Sequence, residues 1–145
     1  MTEFCRITPD FAVAGQLEIA DLARAAAEGF KIVVKNRPEG EDPGQPSDAE
    51  MKRAAEAAGL EFHALPFAGG PPPPAVVGET ATLLEQAKGP VLAYCRTGKR
   101  SLTAWAMAEA LQGARTPDEI IALAAKAGYD VQGARGALEA LAPKT

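Results

Sequence analysis

Residues Pro90–Leu102, with the sequence PVLAYCRTGKRSL, decide the predicted fold and the candidate chemistry of this chain. The apolar run Pro90–Tyr94 favours a buried strand, and the segment Ser101–Leu111 has the spacing of a helix. Between them, the six residues Cys95–Arg100 form a predicted loop with one glycine, Gly98, and three basic side chains. Ligands of open α/β sheets bind where strands end and helices begin. This strand–loop–helix unit therefore predicts an α/β fold with an anion site at the loop.

The remaining sequence continues this alternation of strands and helices. The further predicted strands are Phe11–Gly15, Lys31–Lys35 and Leu60–Leu65, and the further predicted helices are Ile19–Glu28, Ser47–Ala58, Ala75–Ala87, Pro117–Ala127 and Val131–Leu141. Capping sequences mark the starts of two helices, since Ser47 is followed three residues later by Glu50, and Thr116 by Glu119. The alternation predicts a three-layer α/β sandwich with a mostly parallel central sheet. The chain has 145 residues, the usual size of one domain, and we expect residues 1–145 to form one.

Composition and charge argue against several classes of protein. Lys and Arg number 15 and Asp and Glu 19, and the resulting net charge of −4 disfavours binding to nucleic acid or to an anionic membrane. No apolar run approaches the ~20 residues of a membrane span. The N-terminal sequence does not resemble a signal peptide, so we expect a cytoplasmic protein. Two cysteines, Cys5 and Cys95, and a single histidine, His63, do not make the usual Cys/His zinc site, and we expect neither a metal nor a cofactor.

Cys95 is the candidate nucleophile. Its predicted position, at the end of a strand and before a helix, places its sulfur near free backbone N–H groups and the positive end of the helix dipole. Arg96, Lys99 and Arg100 add positive charge, and such surroundings favour the thiolate form of cysteine. Gly98 allows the backbone to turn tightly around an anion. The pattern predicts an anion cradle with a nucleophile at its base.

Other side chains are candidate parts of this cradle. Thr97 is expected to contact a bound anion, and Ser101 to donate a hydrogen bond to the thiolate. Arg37 follows a predicted strand, where it either reaches the anion site from the neighbouring strand or forms a salt bridge with Glu39 or Glu41. These two interpretations of Arg37 stay open on the sequence alone.

The loop and the second cysteine also have less specific interpretations. Cys95 could be a buried structural cysteine beside a basic turn, although the number of cations favours a functional loop. A nucleotide-binding P-loop is excluded, because Ala93 and Arg100 stand where that motif requires glycine and Ser or Thr. Cys5 is either a small buried apolar residue or a resolving thiol for Cys95.

Four segments resemble the phosphatase-like domain of the bacterial beta-lactamase-hydrolase-like family. They are FKIVVKNRPEGEDPGQPS (residues 30–47), LEFHALPFAGG (60–70), YCRTGKRS (94–101) and DEIIALAAKAGYD (118–130). The resemblance implies the fold of the cysteine-dependent dual-specificity phosphatases. It also implies that some relatives join this domain to a metallo-β-lactamase-like persulfide dioxygenase.

The spacing within the loop departs from that of tyrosine-type phosphatases. Those enzymes carry a cysteine, five residues and an arginine, whereas four residues separate Cys95 from Arg100 here. Ser101 stands where the phosphatase arginine would fall, and Tyr94 stands where those enzymes usually have histidine. The string CRTGKR instead resembles the active-site loop of rhodanese sulfurtransferases. That second resemblance concerns the loop alone, because rhodaneses have a different fold.

The positions of the acidic residues also favour sulfur transfer over phosphate hydrolysis. A phosphatase protonates its leaving group, usually with a loop aspartate, but the segment Leu65–Pro74 contains no carboxylate. Glu39, Glu41 and Asp42 are the possible substitutes, on a loop after a different strand. Sulfur transfer has less need of an acid, because sulfite or a thiolate leaves as a stable anion.

We therefore predict a sulfurtransferase that carries sulfane sulfur as a Cys95 persulfide. Arg100, Arg96 and Lys99 would bind the anionic end of a small sulfur donor, and a thiol would accept the sulfur. The alternative is a phosphatase that acts on a phosphate ester through a phosphocysteine, with Arg100 holding the phosphoryl oxygens. A third hypothesis is a non-catalytic module that senses anions or binds a partner.

Overall fold

The computed structural model describes residues 2–143, so Met1, Lys144 and Thr145, at the ends of the predicted domain, lie outside it. A five-stranded sheet lies between two layers of helices. The strands are β1 (Cys5–Thr8), β2 (Phe11–Ala14), β3 (Ile32–Lys35), β4 (Glu61–Ala64) and β5 (Val91–Tyr94). The helices are α1 (Ile19–Ala27), α2 (Asp48–Ala57), α3 (Pro74–Gln86), α4 (Lys99–Gln112), α5 (Pro117–Lys126) and α6 (Arg135–Leu141), with a 3₁₀ turn at Gln132–Ala134.

The order of the strands places the candidate loop at the centre of the sheet. The order is β1-β2-β5-β3-β4, in which β1 pairs antiparallel with β2 and the other pairs are parallel. Tyr94, the last residue of β5, aligns with Ala14 on one side and with Lys35 on the other. Cys95 therefore leaves the middle of the carboxyl edge, with the loops after β2 and β3 on either side.

Both faces of the sheet are covered by helices. Side chains of β2, β3 and β5 alternate between the two faces, and every residue of these three strands is buried, as expected for central parallel strands. One face packs against α3–α6, where Trp105 stacks on Phe11 with ring centroids 5.5 Å apart. The other face packs against α1 and α2. Within residues 2–143, no helix combines the length and the apolar character needed to cross a membrane.

The predicted three-layer α/β sandwich is confirmed, with local differences. The predicted helix Val131–Leu141 divides into the 3₁₀ turn at Gln132–Ala134 and helix α6. The edge strand β1 was not predicted, because its sequence CRIT has only two buried residues and no clear alternation. Helix α4 begins at Lys99, two residues before the predicted start at Ser101, and Gly98 precedes it with φ +91°. The first apolar residue of this helix is Leu102, so its hydrophobic spacing became visible only after its first turn. The loop therefore has four residues, Cys95–Gly98, and not six.

Candidate active site

The backbone of the loop folds around the sulfur of Cys95. The Cys95 N–H donates to the carbonyl oxygen of Ala14 at 3.3 Å, which fixes the start of the loop to β2. The Gly98 N–H then turns back and donates to Cys95 Sγ at 3.1 Å. Cys95 is fully buried, with an exposed fraction of 0%. Its sulfur faces the N-terminus of α4, where N–H groups and the helix dipole stabilise negative charge.

Arg100 lies in the first turn of α4, beside the thiol. Its Nη1 donates to Glu41 Oε2 at 3.0 Å and to the carbonyl oxygen of Phe67 at 3.0 Å, and its Nη2 donates to Glu41 Oε1 at 2.8 Å. The hydrogen bonds to Glu41 raise the pKa of Arg100, and the nearby Cys95 contributes in the same direction. These bonds use both hydrogens of Nη1 and one hydrogen of Nη2, so the Nε hydrogen and the second Nη2 hydrogen remain on the other edge of the guanidinium. Those two donors share one edge of the group, which is the geometry that binds two oxygens of an anion.

Glu41 joins Arg100 to a second arginine. Arg37 Nε donates to Glu41 Oε1 at 2.7 Å, and Arg37 Nη1 donates to Gln16 Oε1 at 3.0 Å. The bonds from Arg100, and then those from Arg37, lower the pKa of Glu41 from 4.5 to about 2. Of the two interpretations of Arg37, the structure shows the salt bridge with Glu41, and its contact with the anion site stays a prediction.

The other predicted residues lie around the loop without forming the expected contacts to sulfur. Arg96 and Thr97 are exposed. Lys99 donates from Nζ to the carbonyl oxygen of Asp130, so its charge points away from Cys95. Ser101 Oγ is buried and has no hydrogen-bond partner within residues 2–143, so the predicted bond from Ser101 to the thiol is absent. The early start of α4 explains this difference, because it places Ser101 inside the helix and gives Gly98 the position that faces the sulfur.

The carboxylates considered as acids have other partners. Glu39 Oε1 accepts from the N–H of Asp48 at 2.8 Å, at the start of α2, and Asp42 Oδ1 accepts from the N–H of Gly44 at 2.9 Å. Glu41 is held ionised between two guanidinium groups. All three belong to the β3–α2 connection (residues 36–47), which strand order brings next to the loop after β5.

Three contacts to the loop and the first turn of α4 were not found from the sequence. They are the bridge from Glu41 to Arg100, the carbonyl of Phe67 that accepts from Arg100, and the Tyr129 hydroxyl that donates to the Thr97 carbonyl oxygen at 3.3 Å. The first depends on β3 lying next to β5. The other two join segments more than 30 residues apart, and no spacing in the sequence indicates them.

Comparison with known sequences gives one family. The chain matches the model of the beta-lactamase hydrolase-like protein, phosphatase-like domain, over residues 3–112. It is 37% identical over 134 residues to the beta-lactamase hydrolase-like protein of Agrobacterium fabrum, covering 92% of this chain and 31% of the relative. The proteins of the same name from two strains of Xylella fastidiosa are 30% identical over 125 residues, 86% of this chain and 29% of theirs. The chain thus spans less than a third of the length of these curated relatives.

Solved structures agree with this comparison. A protein of Neisseria meningitidis Z2491, named "putative phosphatase", matches with a TM-score of 0.79 and 34% identity over 94% of this chain and 96% of that chain. PTPMT1, solved in complex with PI(5)P, matches with a TM-score of 0.77 and 19% identity over 95% of this chain and 93% of that chain. The second match shows a shared fold only. Together the matches confirm the predicted family and the cysteine-phosphatase-like fold.

The prediction of a sulfurtransferase is wrong. The family model is named for a phosphatase-like domain and the Neisseria protein is named a putative phosphatase, and none of the comparisons supports a persulfide, a sulfur donor or a thiol acceptor. The prediction depended on the short spacing between Cys95 and Arg100 and on the lack of a carboxylate in Leu65–Pro74. Because α4 begins at Lys99, Arg100 already lies in its first turn, close enough to Cys95 for the two groups to interact. The shorter loop therefore does not remove the arginine from the site.

Proposed function

Because this chain belongs to the phosphatase-like domain family of the beta-lactamase hydrolase-like proteins, we propose that it hydrolyses phosphate monoesters through Cys95. The observation that carries the proposal is the 3.1 Å hydrogen bond from the Gly98 N–H to Cys95 Sγ at the start of α4. A helix N-terminus binds phosphoryl groups with its free N–H groups. The free edge of Arg100 would bind two phosphoryl oxygens beside the sulfur.

The reaction has two steps in which electrons and atoms balance. The Cys95 thiolate attacks phosphorus, the S–P bond forms, and the bond to the ester oxygen breaks with its electron pair on that oxygen. Water then attacks phosphorus, the S–P bond breaks, and the thiolate returns as phosphate is released. The ester oxygen takes up a proton from solvent, and the attacking water gives its proton to solvent. Arg100 and the N–H groups of the loop stabilise the charge on the phosphoryl oxygens in both steps.

The contacts of the three carboxylates in the β3–α2 connection favour one class of substrate. Glu41, the carboxylate that bonds to Arg100, is ionised and is not a ready proton donor. Glu39 and Asp42 accept from backbone N–H groups, and neither contacts Arg100 within residues 2–143. A leaving group that receives no proton from the protein must be stable as an anion. We therefore infer a preference for aryl phosphates, whose phenoxides are more stable than alkoxides.

The other site residues have supporting roles in this proposal. The exposed Arg96 and Thr97 would contact the substrate at the rim of the loop, and Lys99 would add positive charge from a greater distance. Arg37 does not touch the substrate and acts through Glu41 on Arg100. The reaction requires no cofactor or metal, and residues 1–145 would act as one catalytic domain.

Hydrolysis of p-nitrophenyl phosphate by freshly reduced protein tests the proposal. Cys95→Ser should lower the rate about a thousandfold or more, because an alcohol is a far weaker nucleophile than a thiolate. Acid quenching of the wild-type reaction, followed by peptide mass spectrometry, should find phosphate on Cys95. Cys5→Ser, which removes the other thiol, should retain the wild-type rate. If folded wild-type protein hydrolyses no aryl phosphate, the proposed function is wrong.

A further inference from the structure

The connection after α5 (residues 127–131) contacts three consecutive residues at the end of the loop and the start of α4. The Tyr129 hydroxyl donates to the carbonyl oxygen of Thr97 at 3.3 Å, and Lys99 Nζ donates to the carbonyl oxygen of Asp130. Between these contacts lies Gly98, where a Cβ would stand 2.5 Å from the Tyr129 hydroxyl oxygen. Tyr129 therefore packs directly against the peptide that joins Thr97 to Gly98.

That peptide is held at both ends. The C=O and N–H groups of a trans peptide point in opposite directions from one rigid plane. Tyr129 binds the C=O end, and the N–H end donates to Cys95 Sγ at 3.1 Å. The orientation of one end fixes that of the other, and a bond accepted by a carbonyl also strengthens the donor of the same peptide.

The surroundings favour Tyr129 as a neutral donor. Burial raises the pKa of Tyr129, and the negative charges that Cys5 and Cys95 can carry contribute in the same direction. Among the charged and titratable groups near the loop, Arg100 and Tyr129 interact with Cys95, Glu41 bonds to Arg100, and Cys5 and Glu3 act on Tyr129. Arg96 and Lys99 belong to the same segment as Cys95. The hydroxyl of Tyr129 is the one among these that binds the carbonyl of the Thr97–Gly98 peptide.

We propose that Tyr129 is a positioning residue that holds the Thr97–Gly98 peptide so that its N–H stabilises the Cys95 thiolate. Tyr129 lies beyond residues 3–112, the part of the chain that the family model matches. The inference rests on the role of Cys95 in the proposed function. The role of Tyr129 can be measured without a substrate, so the inference about Tyr129 and the proposed function can fail separately.

The test is the pH dependence of Cys95 alkylation by iodoacetamide in Tyr129→Phe. Peptide mass spectrometry measures the alkylation of Cys95 separately from that of Cys5. The midpoint of the profile should rise by about half a pH unit, because the N–H bond to the thiolate is weakened. Altered access to the thiol would change the rate at every pH but leave the midpoint in place, so the midpoint distinguishes positioning from a merely structural role.

The chain supplies a matched control in Tyr94→Phe. Tyr94 is the other tyrosine, precedes Cys95 directly, and has a buried hydroxyl without a hydrogen-bond partner within residues 2–143. Tyr94→Phe, which removes this hydroxyl, should leave the midpoint of the Cys95 alkylation profile at the wild-type value. An unshifted midpoint in Tyr129→Phe, or an equal shift in both variants, would overturn the proposal. A shifted midpoint in a protein that hydrolyses no phosphate ester would support the role of Tyr129 and refute only the proposed function.

Discussion

The β3–α2 connection and the connection after α5 both support the segment that begins at Cys95, but by different chemistry. The first uses charge, since Glu41 lies between Arg37 and Arg100 and bonds to both. The second uses a neutral hydroxyl, that of Tyr129, on a backbone carbonyl. An ion pair fixes a guanidinium, whereas the direction of an N–H is fixed through its own peptide. The cation and the N–H groups of the site are therefore positioned by separate parts of the chain, and variants should disturb them separately.

Glu41→Gln should have the largest effect on the charged side. We expect kcat/KM for aryl phosphates to fall about a hundredfold, because Arg100 loses the carboxylate that orients it. The midpoint of Cys95 alkylation should move less than in Tyr129→Phe. Glu39→Gln is the control, since its amide oxygen can still accept from the N–H of Asp48. Wild-type kcat/KM in Glu41→Gln would show that Glu41 does not position Arg100.

A series of phosphate esters sharpens the role of Glu41. If Glu41 only positions Arg100, Glu41→Gln should lower kcat/KM by the same factor for good and poor leaving groups. A general acid would behave differently, because its loss costs most where the leaving group most needs a proton. A penalty that grows with the basicity of the leaving group would contradict the inference that the protein supplies no proton.

Arg37→Met should have a smaller effect than Glu41→Gln. It removes one of the two cations on Glu41 but leaves the bidentate pair of Glu41 with Arg100. We expect kcat/KM to fall about tenfold, the value of one charged hydrogen bond. Arg53→Met, an exposed arginine of α2, is the matched control. A loss as large as that in Glu41→Gln would mean that Arg37 contacts the substrate directly.

On the neutral side, Tyr129→Phe should lower kcat/KM at neutral pH only about threefold, the value of one neutral hydrogen bond. The loss should shrink as the pH rises, because more of the thiol is then ionised in both proteins. A loss that is constant with pH would indicate that Tyr129 acts on something other than the thiolate.

The smallest expected effect is on stability in acid. Folding lowers the pKa of Glu41 from 4.5 to about 2. A carboxyl whose pKa is lowered stabilises the folded state fully above its unfolded value and loses that contribution as the pH falls towards its folded value. The difference in unfolding free energy between wild type and Glu41→Gln should therefore be constant above about pH 5 and shrink as the pH falls to about 2. Urea denaturation across this pH range measures the difference in unfolding free energy. A difference that grows as the pH falls would contradict the lowered pKa of Glu41.

The features that the sequence predicted are those encoded locally. The apolar runs before Cys95 and Asn36 identified two central strands, and the capping sequence at Ser47 located the start of α2. The position of Cys95 between a strand and a helix N-terminus followed from a single stretch of sequence, as did the proximity of Arg100. These inferences required no knowledge of which strands are neighbours.

The features that the sequence did not predict depend on strand order or on distant segments. Glu41 was recognised only as a possible acid or as a partner of Arg37, because its contact with Arg100 requires β3 to lie next to β5. Tyr129 lies in a segment that resembles the family, but the sequence indicated no role for it. Its hydroxyl meets Thr97 across 32 residues, through the packing of α5 on the sheet. The loop spacing was misleading for a local reason, because α4 begins at Lys99 before its hydrophobic spacing is visible in the sequence.

The complete burial of Cys95 has a consequence for the rate of binding. A thiol with none of its surface exposed can meet a phosphoryl group only after a neighbouring group has moved. The encounter then depends on how often the site opens, so ligands should associate with Cys95 more slowly than with an exposed thiol. At high ligand concentration, the observed rate of binding should level off at the opening frequency.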